Sequence, residues 1–291
     1  MTNFRSMGPA GINAFVAQHG SQPSRELDAL CGQIHAHTTL LYWFTDLDLA
    51  LAEARRTRRP VLSLRLLGRL DEELSCANSR FFRRLLYPES RINQLLRDKF
   101  VLHWQSVRPV PKVRIDFGNG RTLDKTLTGN SLHLVLDSDG RPADALPGLV
   151  SPDVFVTLLE RAHRTAMAGR GQLAAMHDRA LRSPVRAPRA PKPRSLEASL
   201  LAPTKHMVEM PVLRNVSQDV DADTVQNLEL HARIHEAFAA GTTWTADEWV
   251  AWIYRDLFLM PPDDPMLGLD VEEPFLDQGF APFVTHSRNN L

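Results

Sequence analysis

Helical and strand periodicities alternate between Thr45 and Leu159, and that alternation restricts the chain to an α/β fold in which helices cover a sheet. The first helix of the series starts at Thr45 or Asp46, either of which can cap it. It carries Leu47, Ala50, Leu51 and Ala54 on one side and ends on Arg55 and Arg56, where cations suit the negative end of the helix dipole. Pro60 stops helical geometry. Val61–Leu67 then reads as a strand, with Leu62, Leu64 and Leu66 on one face and Ser63 and Arg65 on the other. A helix is expected to open between Ser75 and Asn78 and to turn Phe81, Phe82, Leu85 and Leu86 inward until Pro88 interrupts it. A further turn bears Ile92, Leu95 and Leu96.

Phe100–Ser106 is the next strand, with Phe100, Leu102 and Trp104 on one side. Pro109 and Pro111 mark an extended connection, and Gly118-Asn119-Gly120 a hairpin turn. Leu132–Leu136 forms a short apolar strand, Asp137-Ser138-Asp139-Gly140 a turn into an edge strand, and Pro152–His163 a closing helix presenting Val154, Phe155, Leu158 and Leu159. Ahead of this block, Leu27, Leu30, Cys31 and Ile34 fall at helical spacing from Ser24 onward, so Cys31 reads as a small buried hydrophobe.

The remainder of the chain differs in character. From Arg182 to Arg194, Pro184, Pro188, Pro191 and Pro193 alternate with Arg and Lys, which predicts a semi-rigid linker without helix or ladder bonds. Beyond it, Leu230, Ile234 and Phe238 share one side of a helix that Asp223 can cap and Gly241 can end. Thr245 and Glu248 have capping-box spacing ahead of Trp249, Trp252, Ile253 and Leu257, and Trp249, Trp252 and Ile253 are expected to pack inward. The tail from Asp263 to Leu291 is expected to be extended. The chain thus divides into an extension with a short helix (1–40), an α/β domain (41–165), a helix end with linker (166–194) and a mainly helical region (195–291).

Composition narrows the partners. Lys plus Arg and Asp plus Glu each number 34, so no overall field favours nucleic acid or an anionic membrane. No stretch approaches the about 20 apolar residues of a membrane span, and residues 1–20 have no continuous apolar core for secretion. Two cysteines suit a reducing compartment, so the expectation is a cytoplasmic protein with no cofactor.

The order and spacing of Trp43, Asp46, Ala50, Ala54, Arg59, Pro60, Val61 and Leu62, followed by Phe100-Val101, Asp139-Gly140, Pro147-Gly148, Pro152, Phe155 and Leu158, resemble the thioredoxin-like superfamily. The resemblance implies a three-layer sandwich with a mixed central sheet, to which the mainly helical C-terminal region is an extension. It places Cys76-Ala77-Asn78-Ser79 where such domains carry Cys-x-x-Cys, and implies Cys76 as nucleophile with Ser79 in place of the resolving cysteine. Thr128-Gly129-Asn130-Ser131 stands where the family has its cis-proline, which makes Asn130 and Ser131 the implied substrate-groove residues. No tryptophan precedes Cys76, and residues 105–130 look like an insertion.

The residues themselves suggest what chemistry remains. A cysteine at a helix N-terminus is drawn toward thiolate, and Arg80, Arg83 and Arg84 add positive charge. Ser79 can donate a hydrogen bond to it, and His133 can assist as a base. A lone thiol needs a second thiol from glutathione or a protein to complete exchange. The expected function is therefore single-cysteine redox work or sensing; the alternative is a non-catalytic scaffold that holds a protein partner through the C-terminal aromatic helix and tail. His231 and His235, one turn apart beside Glu229 and Glu236, have a spacing that can ligate zinc, but the sequence singles out no third ligand. No metal site is expected from the sequence alone.

Overall fold

The computed structural model describes residues 4–126, 129–187 and 216–268, with side chains from 220 onward in the last segment. Local chemistry sets the first elements. Helix α1 spans Ala10–His19; α2, Arg25–Cys31, opens where the Ser24 hydroxyl accepts from the Leu27 N–H and stops at Gly32 in the left-handed region. Asp46 caps α3 (Leu47–Thr57) by accepting from the Leu49 N–H. The cysteine of α2, Cys31, is fully buried, and burial, with Asp28 adding to it, pushes its thiol up to about 12.

Five strands form one mixed sheet: β1 (Trp43–Phe44), β2 (Val61–Leu67), β3 (Val101–Arg108), and the strands Ser131–Leu136 and Pro142–Pro147, here β6 and β7. Strands β4 (Lys112–Asp116) and β5 (Thr122–Thr126) form a separate antiparallel hairpin through the Gly118-Asn119-Gly120 turn. In the main sheet the order is β1-β3-β2-β6-β7, with β1, β3 and β2 parallel and β6 and β7 antiparallel to their neighbours. Every residue of β2 and of β6 is buried, so the sheet is covered on both sides. Ser63 and Arg65, the polar face of β2, lie inside as well. Ser63 Oγ is 2.8 Å from His103 Nδ1 and accepts from Arg65 Nε at 3.0 Å.

Helix α4 (Ala77–Phe81) runs into a π turn at Phe82–Leu86, and α5 spans Ser90–Lys99. The closing helix α6, Pro152–Met167, continues four residues past the expected His163 and packs on α5, β6 and β7. Helix α7, Leu173–Arg182, carries regular structure to the first residue of the expected linker, so Arg182 belongs to a helix. Beyond it, the Ser183 carbonyl accepts from Arg161 Nη1 and Val185 packs against the core, which ties the start of this segment down. The expected linker residues 188–194 lie outside the described residues.

Helix α8, Val216–Ala239, begins upstream of the Asp223 cap that the sequence suggests, and it packs on α7 and β7. Thr224 Oγ1 accepts from the Ser151 N–H, and Asn227 Nδ2 donates to the Leu149 carbonyl. Gly148, at φ +62, makes that approach feasible, since a Cβ there would meet the Asn227 amide at 2.2 Å. Helix α9, Ala246–Trp252, opens with the expected Thr245–Glu248 capping box and continues as a π turn, Ile253–Leu257. Its buried row is Trp249, Val250, Ile253, Tyr254 and Leu257. Trp252, expected inside, is only half-buried. Of the expected tail, residues 269–291 lie outside the described residues, while the carbonyls of Pro262, Asp264 and Pro265 accept from Arg108 at the end of β3. No described helix is long and apolar enough to cross a membrane.

Candidate functional sites at Cys76 and around Asp144

Cys76 is the N-cap of α4, one loop after the central strand β2, and its N–H donates to the Leu67 carbonyl at the strand end. Its side chain has no solvent exposure. Gly129 approaches so closely that a Cβ would stand 2.5 Å from Cys76 Cβ, and Asn78 Nδ2 donates to Asn130 Oδ1 at 2.7 Å. Tyr254, from the turn after α9, crosses to the same end of the sheet. Its hydroxyl lies 3.2 Å from the Arg65 carbonyl and 3.0 Å from that of Asn130. Burial, with the nearby Cys76 thiol adding to it, holds the Tyr254 and Tyr87 hydroxyls well above the ordinary phenol range, so both stay protonated.

The groups expected to assist the thiol are engaged elsewhere. Ser79 Oγ lies 2.7 Å from Ser75 Oγ and 2.9 Å from the Cys76 carbonyl, so its proton goes back to its own helix start. Ser75 Oγ also accepts from Arg83 Nη1, which bonds to the carbonyls of Leu70 and Glu72 as well. Burial pushes the Arg83 guanidinium down to about 10, and Arg80, half-buried, is lowered for the same reason; Cys76 is close enough to both to favour their charged forms. His133 sits in β6 between Phe82 and Phe155, with ring centroids at 4.8 and 5.0 Å. Its Nε2 is 2.7 Å from the Tyr87 hydroxyl, its Nδ1 has no partner among the described residues, and burial holds it down at about 3. A ring so placed is a neutral core group. Ser131, the other residue the resemblance implies for a groove, is buried, and its Oγ has no partner among the described residues.

A second cluster assembles from three distant elements. Asp144 of β7, His177 of α7 and His231 of α8 are buried, and His235, one turn along α8, is half-buried. His231 Nε2 is 2.9 Å from Asp144 Oδ1, His177 Nδ1 is 2.7 Å from His235 Nδ1, and His177 Nε2 is 2.9 Å from the Ala143 carbonyl. Burial opposes ionisation of Asp144, but His231, by charge and hydrogen bond, outweighs it with help from His235 and His177, and holds the carboxyl well below the usual range. Burial likewise lowers His177 and brings His235 down to about 3, so both rings are neutral at pH 7. A cavity of about 60 Å³, lined among others by Arg161, Val185, Leu228, His231 and His235, opens beside them. Sequence reading found His231 and His235 but missed Asp144 and His177, which only the packing of α7 and α8 against β7 brings in. A lone Asp at the centre of an otherwise apolar strand, Ala143-Asp144-Ala145-Leu146, was the available signal. Comparison of the chain with protein-family models and with curated proteins finds no match to either.

Proposed function

We propose that this chain is a thioredoxin-like scaffold that holds a protein partner and does not turn over thiols. Support for the fold half of this reading comes from the five-stranded mixed sheet, whose central strands are buried on both faces, and from the 129–131 loop lying against Cys76-Ala77-Asn78-Ser79. The observation that carries the functional half is the complete burial of Cys76, with Ser79 and His133 committed to other partners. A thiolate must reach its target sulfur to exchange, and a thiol with no exposed surface cannot. The partner face is the outer side of α9 and the turn after it, where Trp244 (37% exposed) stands 5.5 Å from half-buried Trp252 and Leu259 is 73% exposed. Aromatic anchors of this kind favour protein interfaces.

The test is the alkylation rate of Cys76 by iodoacetamide at pH 7, read by peptide mass spectrometry so that Cys31 is scored separately. Cys76 is expected to stay unmodified in the folded protein and to react fully in guanidinium. The competing single-cysteine redox reading, with glutathione or a protein thiol as second thiol, draws on Arg80 and Arg83 beside the sulfur. Fast modification of the folded protein at pH 7 would move the preference to it.

A further inference from the structure

We infer that Asp144, His231 and His235 bind one divalent transition-metal ion of the zinc class, with the fourth coordination position facing the cavity beside α8. Two imidazoles and one carboxylate are a donor set that zinc accepts, and three protein ligands leave room for a water or an exchangeable ligand. One ligand atom from each residue, either ring nitrogen in the case of a histidine, lies within 4.8 Å of the others. Donors on a tetrahedral ion at about 2.1 Å stand about 3.4 Å apart. The 2.9 Å contact between His231 Nε2 and Asp144 Oδ1 has only to open by a few tenths of an ångström while His235 closes in.

The hydrogen bonds around the cluster fix the tautomers in the way a metal site needs. The Ala143 carbonyl can only accept, so His177 donates to it from Nε2, and a ring with its one hydrogen there offers a lone pair on Nδ1. That lone pair must accept the Nδ1–H of His235. His235 Nε2 is then the bare nitrogen, and among the described residues it makes no hydrogen bond while its ring lines the cavity. A ligating histidine held by an acceptor on its other nitrogen is the usual arrangement around a protein-bound metal. His177 is thus a positioning residue. Asp144 Oδ1 is itself held by the Ala145 N–H at 2.8 Å. An entering ion takes the place of the proton that His231 shares with Asp144: the His231 ring changes tautomer, carrying that proton on Nδ1, and presents the Nε2 lone pair. Phe238 stacks on His177 at 4.3 Å and Trp249 on Phe238 at 4.0 Å, so the cluster rests on the rigid aromatic core of the C-terminal region.

The experiment uses the full chain stripped with EDTA, titrated with zinc by calorimetry and with cobalt by visible absorption. One zinc per chain, a raised melting temperature and the intense visible bands of tetrahedral cobalt are expected. His177→Gln should weaken zinc binding about 10–100-fold, and His235→Ala, at a half-buried position, should weaken it further while leaving the far-ultraviolet circular dichroism unchanged. Absence of zinc uptake and of cobalt bands in the wild-type protein would overturn the proposal, whatever the variants do. So would uptake that His235→Ala and Asp144→Asn leave untouched, since the metal would then be on surface histidines.

Discussion

The neighbourhood of Cys76 and the cluster around Asp144 are built in opposite ways. The first is a run of four consecutive residues that any reader of the sequence would stop at, and folding closes it: Gly129 and Tyr254 come in from distant segments and the thiol loses all exposure. The second is scattered over β7, α7 and α8, and folding gathers its side chains beside a cavity. Proximity in sequence advertises chemistry, whereas access to solvent and ligand is decided by what packs on top. The same C-terminal region reaches both, bringing the Tyr254 hydroxyl to the Arg65 and Asn130 carbonyls near one site and supplying His231 and His235 to the other.

The largest expected effect tests that shared dependence. Trp249 has no exposed surface and stacks on Phe238. Trp249→Ala is predicted to cost about 3–5 kcal/mol, the usual range for emptying a large aromatic site, and to lower the melting temperature. It should also make Cys76 react with iodoacetamide, because the turn carrying Tyr254 follows directly from α9. Trp252→Ala, at a half-buried position, should cost far less and leave Cys76 protected. Equal losses from the two variants, or a Trp249→Ala protein whose Cys76 stays protected, would break the link between the C-terminal core and the sealing of Cys76.

Acid separates the regions next. His133, on the Cys76 side, has its folded pKa held by burial at about 3, against about 6.5 for an unperturbed ring. Between those values the unfolded chain binds a proton that the folded one does not, so stability falls as pH drops through about 6.5 toward 3. At pH 5 the loss relative to pH 7 is about 2 kcal/mol from His133 alone. His103, brought to about 3 by burial and then by the Arg65 charge, adds a similar amount, and the more exposed His235 a smaller one. Asp144 works lower. Its carboxyl is depressed when folded, so its contribution is intact above the unfolded carboxylate range and is lost only as pH falls below about 4. Urea titrations at pH 7 and pH 5 check this: His133→Gln should remove about 2 kcal/mol of the difference between them, while Asp144→Asn should leave its carboxylate share of that window unchanged.

What the sequence made legible was local. The caps Asp46 and Thr245 with Glu248, the hairpin at Gly118-Asn119-Gly120 and the strands at Val61 and Leu132 depend on residues within a few positions of one another, and they form where expected. The position of Cys76 at a helix start was legible for the same reason. Its burial was not, because Gly129 and Tyr254 are remote in sequence. Of the row expected in α9, Trp249 and Ile253 are buried and only Trp252 is half-buried. The helix winds on as a π turn from Ile253, within which Tyr254 is buried. The spacing of His231 and His235 was visible as i, i+4, but a third donor from a strand has no fixed offset from a helix.

The smallest expected effect bears on how tightly the Cys76 site is closed. Gly129 has φ +156, at the edge of the region that side chains rarely adopt, and an added Cβ would stand 2.5 Å from Cys76 Cβ and 3.5 Å from Leu67 Cδ1. Gly129→Ala should therefore cost about 1–3 kcal/mol, as overpacking of a filled interior does. The clash is with Cys76 Cβ and not with its sulfur, so Cys76→Ser and Cys76→Ala should leave it in place, and only Cys76→Gly should relieve it. A double-mutant cycle of Gly129→Ala with Cys76→Gly, read by denaturant unfolding, should show a favourable coupling that the cycle with Cys76→Ala lacks. Strict additivity in both cycles would mean that the 129–131 loop yields easily and that Cys76 is less firmly enclosed than its absent exposure implies.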